Sequence, residues 1–181
     1  GSSRVDLTVV LRRVDVAEYY SSGPQTGYCR TWTVDTQGPT LTRTTFEHDA
    51  RGNVTRCSDP LGNDTLWSYN DLDQCVRCQS PINLKARCAT DYYYDADDDL
   101  VQQTVEVRDE NDTQYSAKSD VWAYGVLGRC LSHAQQVSDA HFVTNSYAYD
   151  GDDNRVLDSS PEAVNGNDPI NVVLYSYDER S

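Results

Sequence analysis

The chain of 181 residues has no methionine, three histidines, and only 15 Lys+Arg against 29 Asp+Glu. Each shortage narrows what the protein can do. A formal charge of −14 and a pI near 4.4, with no Lys/Arg cluster to offset that field locally, argue against a nucleic-acid partner. Solubility and resistance to self-association are the plain account of the charge, with cation binding as the alternative. Long apolar runs are missing too. The best, Val5 to Leu11 and Val172 to Tyr177, are far too short for a membrane span, and no signal-peptide pattern stands at the amino end. His48, His133 and His141 surround no candidate nucleophile, no Ser or Cys sits in a nucleophile elbow, and there is no His-Glu zinc motif. No catalytic residue is therefore expected.

Six cysteines without metal-ligand spacing fit an oxidising compartment. Cys75-Val76-Arg77-Cys78 has the letters of a redox or zinc pair, but it lies in a strand-like segment where i and i+3 face opposite sides. Cys57 and Cys78 each fall nine residues after a motif ring. Equivalent strands of successive two-stranded units, however, lie roughly 9–10 Å apart, beyond disulfide reach. Reduced thiols packing as small apolar residues are the leading reading. The one candidate disulfide is Cys78 with Cys88, which would face each other if residues 81–87 close a hairpin.

Aromatic pairs are what the chain has in abundance. Six times a ring, any residue and a second ring precede a short, mostly polar cluster: Phe46/His48, Trp67/Tyr69, Tyr92/Tyr94, Trp122/Tyr124, Tyr147/Tyr149 and Tyr175/Tyr177. Rings at i and i+2 share one face of a strand and diverge on a helix. The second rings are spaced 21, 25, 30, 25 and 28 residues apart, the range of a supersecondary repeat stacked on its neighbours. After each motif comes a turn and another apolar alternation, as at Val54, Val76, Leu100-Val101 and Leu131. The unit reads strand, tight turn, strand, longer loop, and nothing in it asks for a helix. The expected fold is all-β: stacked antiparallel hairpins forming a curved, twisted sheet or part of a β-shell, with the rings as its packed face.

Residues 1–43 read as an amino-terminal β region, with a first strand at Val5 to Leu11 and a decayed copy of the repeat at Trp32 to Gly38. Residues 44–181 read as the array, whose last copy, Tyr177-Asp178, opens without its partner strand. Pro161 to Pro169, with Asn165-Gly166 inside it, reads as an exposed loop excursion.

Two ligand chemistries arise from the same residues. Asp95-x-Asp97-x-Asp99 with Glu106 at the twelfth position, and Asp150-x-Asp152-x-Asn154, have the alternating oxygen spacing of a calcium loop. Both lack that loop's glycine and both coincide with the repeat's own turn, so solvated turn carboxylates compete with weak calcium binding. No other cofactor is expected. Tyr and Trp beside Asp and Asn also suit glycans, although i, i+2 rings equally describe a core stripe. Asn53, Asn63 and Asn111 head glycan acceptor patterns.

Phe46-Glu47-His48-Asp49-Ala50-Arg51-Gly52-Asn53-Val54-Thr55, followed by Asp59-Pro60-Leu61-Gly62-Asn63, resembles the bacterial RHS or YD repeat, whose core reads Y-D-x-x-G-R/N-L/V. Tyr94-Asp95, Tyr124 to Arg129, Tyr149 to Val156 and Tyr177-Asp178 look like further copies, covering Thr44 to Ser181. The turn glycine is Gly52 and Gly128 in two copies and Asp73, Asp98 and Asp153 in three. The resemblance implies an extracellular or cell-surface protein whose hairpins form a rigid, non-enzymatic β wall that encloses or presents cargo. Its partners would be neighbouring repeats or further copies of itself, joined through sheet edges. A filament subunit assembled through those edges, or a glycan- or calcium-binding adhesion module, are the other expectations.

Overall fold

The computed structural model describes residues 14–34, 42–80, 86–109, 111 and 113–178. The strand expected at residues 5–11 and the loop at residues 81–85 lie outside them. The chain divides into two compact units, residues 1–67 and 68–181. The first holds β1 (Val16–Tyr19), β2 (Cys29–Val34), β3 (Thr42–His48), β4 (Val54–Ser58) and the start of β5 (Asp64–Tyr69). The second holds β6 (Cys75–Gln79), β7 (Ala86–Tyr94), β8 (Leu100–Asp109), β9 (Gln114–Tyr124), β10 (Cys130–Ser138), β11 (His141–Tyr149), β12 (Arg155–Ser159), the single-turn helix α1 (Pro161–Val164) and β13 (Val172–Leu174). As expected, the fold is all-β and antiparallel. Within each unit, strands pair with their sequence neighbours in a meander.

Local sequence explains the pairing. In β3, β7 and β9 the motif rings are half-buried or buried, while the residues between them, Glu47, Tyr93 and Ala123, are exposed. That alternation fixes the register, because a one-residue slip would turn every ring to the other face. The register shifts once beside four of the repeat turns, at Glu47/His48, Tyr93/Tyr94, Cys130/Ser132 and Ala148/Tyr149. A bulge there follows from a turn whose fourth residue is left-handed.

Little is fully buried: among the described residues Ala89 is the buried hydrophobic side chain, with Thr31 and His48 the buried polar ones. Several motif rings of the second unit pack against mixed partners. Trp122 stacks on the cross-strand His133 with centroids 4.9 Å apart and planes at 6°. Arg155 lies 4.9 Å from the centre of the Tyr147 ring, and Arg129 5.5 Å from that of Tyr149. On the opposite face a charged row crosses three strands: Arg77 donates to Asp91 at 2.7 Å, and Arg108 pairs with Glu106 at 2.8 Å.

One helix corrects the sequence reading. Ser160 caps α1 by accepting from the Ala163 N–H, Pro161 occupies the first turn, and Glu162 is acidic there. The Ser-Pro-Glu signature of a helix start was present inside a segment read as loop. Among the described residues no helix is long and apolar enough to cross a membrane. The β10–β11 turn holds a left-handed non-glycine, Ala140, at φ 59°. Ala140→Gly is expected to stabilise the protein by about 1 kcal/mol, read as a rise in the urea midpoint with unchanged slope.

Candidate functional site: the repeat turn and the tyrosine stitch

The repeated polar cluster builds one local device. In four of the five repeat turns the residue after the second ring, position 1 of a five-residue turn, directs its side-chain oxygen back into the turn; in the fifth it is Gly125. Asp49 Oδ1 accepts from the Arg51 and Asn53 N–H groups, both at 2.9 Å. Asn70 Oδ1 does so from Leu72 and Gln74, Asp95 Oδ1 from Asp97 and Asp99, and Asp150 Oδ1 from Asp152 and Asn154. The position 1 N–H donates to the carbonyl at position 5 in each, as Asp49 does to Asn53 and Asp150 to Asn154. Position 4 is left-handed: φ is 98° at Gly52, 63° at Asp73, 68° at Asp98, 69° at Gly128 and 67° at Asp153. Aspartate accepts that region with less strain than most side chains.

The same device recurs where the motif did not mark it. Asp59 Oδ1 accepts from Leu61 and Asn63, and Asp109 Oδ1 from Asn111 and Thr113, so turns at the opposite end of the strands use identical chemistry. Where position 5 is Asn, its Nδ2 closes the loop on the position 1 carboxylate: Asn53 to Asp49, Asn63 to Asp59 and Asn154 to Asp150. Asn53 and Asn63 thus spend the nitrogen that a glycan would need. The side-chain bond from Asn holds the Asp49 and Asp59 carboxyls below their ordinary value of 3.8, and the Asn154 N–H does the same for Asp150.

Neighbouring turns also touch. Position 5 of one reaches position 4 of the next: Gln74 Nε2 donates to Asp98 Oδ1 at 3.0 Å, and Arg129 to Asp153 Oδ1 at 3.0 Å. Asp99 and Gly128 continue the pattern without a bond, the Asp99 carboxylate lying 3.8 Å from where a Gly128 Cβ would stand.

The second ring supplies the longer link. The Tyr94 hydroxyl donates to the Cys75 carbonyl at 3.0 Å, Tyr124 to Leu100 at 3.1 Å, Tyr149 to Cys130 at 2.9 Å and Tyr177 to Arg155 at 2.9 Å. Each acceptor is the residue directly after the preceding repeat turn, at the start of the strand that begins there. Every motif tyrosine in this set therefore stitches its hairpin to the one before it. In the first unit the ring position is His48, buried between Tyr20 and Tyr28 with centroids 6.4 and 5.2 Å away. There Tyr20 donates to the Phe46 carbonyl at 2.8 Å. The Tyr28 ring lies over Gly52, where an added Cβ would fall 2.8 Å from Cζ.

Each remaining predicted site residue has a definite place. Phe46, Trp67, Tyr69, Tyr92 and Tyr147 are half-buried, while Tyr175 is exposed and donates to Asp158 at 3.1 Å. Asp97 and Asp152 are exposed at turn tips. Glu106 lies in β8, engaged with Arg108. Among the described residues no three His, Cys, Asp or Glu side chains are grouped to hold a metal ion.

The structure holds all six cysteines as free thiols. In the β6–β7 register Cys78 stands opposite Thr90, while Cys88 exchanges bonds with Ser80. The two are diagonal neighbours, about 7–8 Å apart, outside disulfide range. Three other cysteines share a structural role that the sequence did not suggest. Cys29, Cys75 and Cys130 each open a strand, and each Sγ donates to the carbonyl two residues on, at 3.5, 3.5 and 3.4 Å. Burial pushes the Cys75 and Cys130 thiols up, which keeps them protonated and weakly reactive.

Both halves of the device titrate, in opposite directions. The depressed aspartates contribute stability that is present above about pH 4 and lost as pH falls through their lowered values. Burial raises the Tyr94 and Tyr124 hydroxyls above 10, so their contribution is complete below pH 10 and lost as pH rises through the raised values. The melting temperature should therefore form a plateau between these limits and fall on both sides. Asp49→Asn, Asp59→Asn and Asp150→Asn together should make the acid side shallower and leave the alkaline side unchanged, as read by circular dichroism melts from pH 2 to pH 11.

No protein-family model matches the chain, and no curated protein matches it. Among solved structures, it is similar to the Photorhabdus luminescens Tc holotoxin pore at 11% identity and a TM-score of 0.42, over 82% of this chain and 10% of that one. It is also similar to the TcdB2–TccC3–Cdc42 structure at 14% identity and a TM-score of 0.41, over 77% of this chain and 9% of that one. For TcdB2–TccC3–TEV the values are 11% and 0.42, over 81% and 10%. The chain thus spans about a tenth of the length of the solved chains it resembles.

Proposed function

We propose that the chain is a non-enzymatic structural segment of an extracellular RHS-like protein, a rigid β wall that encloses or presents cargo. The observation that carries this reading is the tyrosine stitch, repeated from hairpin to hairpin at equivalent atoms. The polar atoms of the repeat serve the array itself: position 1 oxygens bond turn amides and tyrosine hydroxyls bond neighbouring strands. Stability then accumulates by nearest-neighbour coupling, as in other repeat proteins. Two of the three histidines fit the same account, since His48 is buried between tyrosines and His133 is stacked on Trp122 and bonded to Asp120 at 3.0 Å.

The test is limited proteolysis of the full-length protein that contains this array, at rising temperature. Wild type is compared with the Tyr94→Phe, Tyr124→Phe, Tyr149→Phe variant. For a wall, segments joined to the array become cleavable when the array melts, and at a lower temperature in the variant. Rapid cleavage of those segments below the melting point would overturn the reading. Calcium at the turns would have to compete for Asp95 and Asp150 oxygens already bonded to amides. Millimolar calcium is therefore expected to leave the melting temperature unchanged, and a rise would favour the adhesion-module alternative.

A further inference from the structure

Four repeat turns of the second unit, at residues 70–74, 95–99, 125–129 and 150–154, lie at the same end of its strands, because the meander returns there at every second connection. Their tips carry large apolar side chains in water: Leu72 is 70% exposed, Val126 101% and Leu127 65%. The turn does not require them. The device described above uses the position 1 oxygen, backbone N–H groups and a left-handed position 4, and elsewhere positions 2 and 3 hold Ala-Arg, Ala-Asp and Gly-Asp. Turns at one end are two strands apart, so Leu72 and Val126 are separated by roughly 19 Å, about three and a half turns of an α-helix. The same four turns contain nine aspartates and one basic residue, Arg129, which is already paired with Asp153.

We propose that this edge docks a cationic amphipathic helix of a partner protein. The helix would lay its apolar stripe along Leu72, Val126 and Leu127 and place its lysines or arginines against the flanking aspartates. Charge complementarity selects that occupant over an anionic membrane surface or an acidic protein, both of which the aspartates repel. Apolar burial supplies the short-range attraction and the aspartates supply the salt-sensitive encounter.

The experiment measures binding of a labelled synthetic Leu/Lys amphipathic helix to the intact chain by fluorescence anisotropy. A peptide of the same composition with its leucines scattered is the control for charge alone. The V126D/L127D double variant should keep the fold, since Asp occupies position 2 in the 70–74 turn and position 3 in the 95–99 and 150–154 turns. The expected result is binding at least tenfold tighter for the amphipathic peptide, weakening as salt rises and lost at least tenfold in V126D/L127D. Leu61→Asp, at an exposed tip of the first unit, should change nothing. Equal binding of both peptides, undiminished binding by V126D/L127D, or preferential binding to neutral lipid vesicles over the peptide would each overturn the proposal.

Discussion

Gly52→Ala is expected to destabilise the protein by about 2–4 kcal/mol, the sum of a conformational and a steric effect. At φ 98° the backbone of residue 52 is in a region that L side chains avoid, and the new Cβ would meet Tyr28 at 2.8 to 2.9 Å on three atoms. Tyr28 has little room to retreat because its ring also lies 5.2 Å from that of the buried His48. Gly62 separates the two contributions. It has φ 82° and nothing within 4 Å of an added Cβ, so Gly62→Ala should cost only about 1–2 kcal/mol. A double-mutant cycle of Gly52→Ala with Tyr28→Ala by urea unfolding should recover the steric part and leave the conformational part. Equal costs at Gly52 and Gly62 would mean that Tyr28 does not rest on the turn.

The triple variant Tyr94→Phe, Tyr124→Phe, Tyr149→Phe is expected to lose about 3 kcal/mol, near 1 kcal/mol for each hydrogen bond removed. The rings remain, so the packing of Trp122 on His133 and of Arg155 on Tyr147 is kept. What disappears is the link from each hydroxyl to the carbonyl that opens the preceding unit's second strand. Because the three stitches are successive, the loss should appear as lower cooperativity as well as a lower midpoint. Hydrogen exchange should then show neighbouring hairpins opening separately. Tyr93→Phe is the control: Tyr93 is 50% exposed on the opposite face and makes no such stitch. Full retention of stability in the triple variant would remove the observation on which the wall reading rests.

The sequence alone determined the class of fold and the repeat. Ring spacing of two residues dictates a strand face, and a spacing of 21 to 30 residues between copies dictates a hairpin array, because both are properties of local backbone geometry. Left-handed turn residues were legible for the same reason: Gly or Asp at position 4 is a local steric requirement. Ser160-Pro161-Glu162 is an equally local helix-start signal, masked by the Asn-Gly and proline loop signals that follow it.

Only the tertiary structure decided which atoms join one unit to another. A tyrosine announces a hydroxyl but not its acceptor, and that Tyr94 meets Cys75 rather than another carbonyl depends on the pairing of strands distant in sequence. The placement of Cys78 and Cys88 was decided at the same level, since the relative register of β6 and β7 sets Cys78 opposite Thr90. The direction of the Asp95 and Asp150 side chains was set there too: each Oδ1 turns inward to amides of its own turn, an orientation that backbone folding sets and residue order does not reveal.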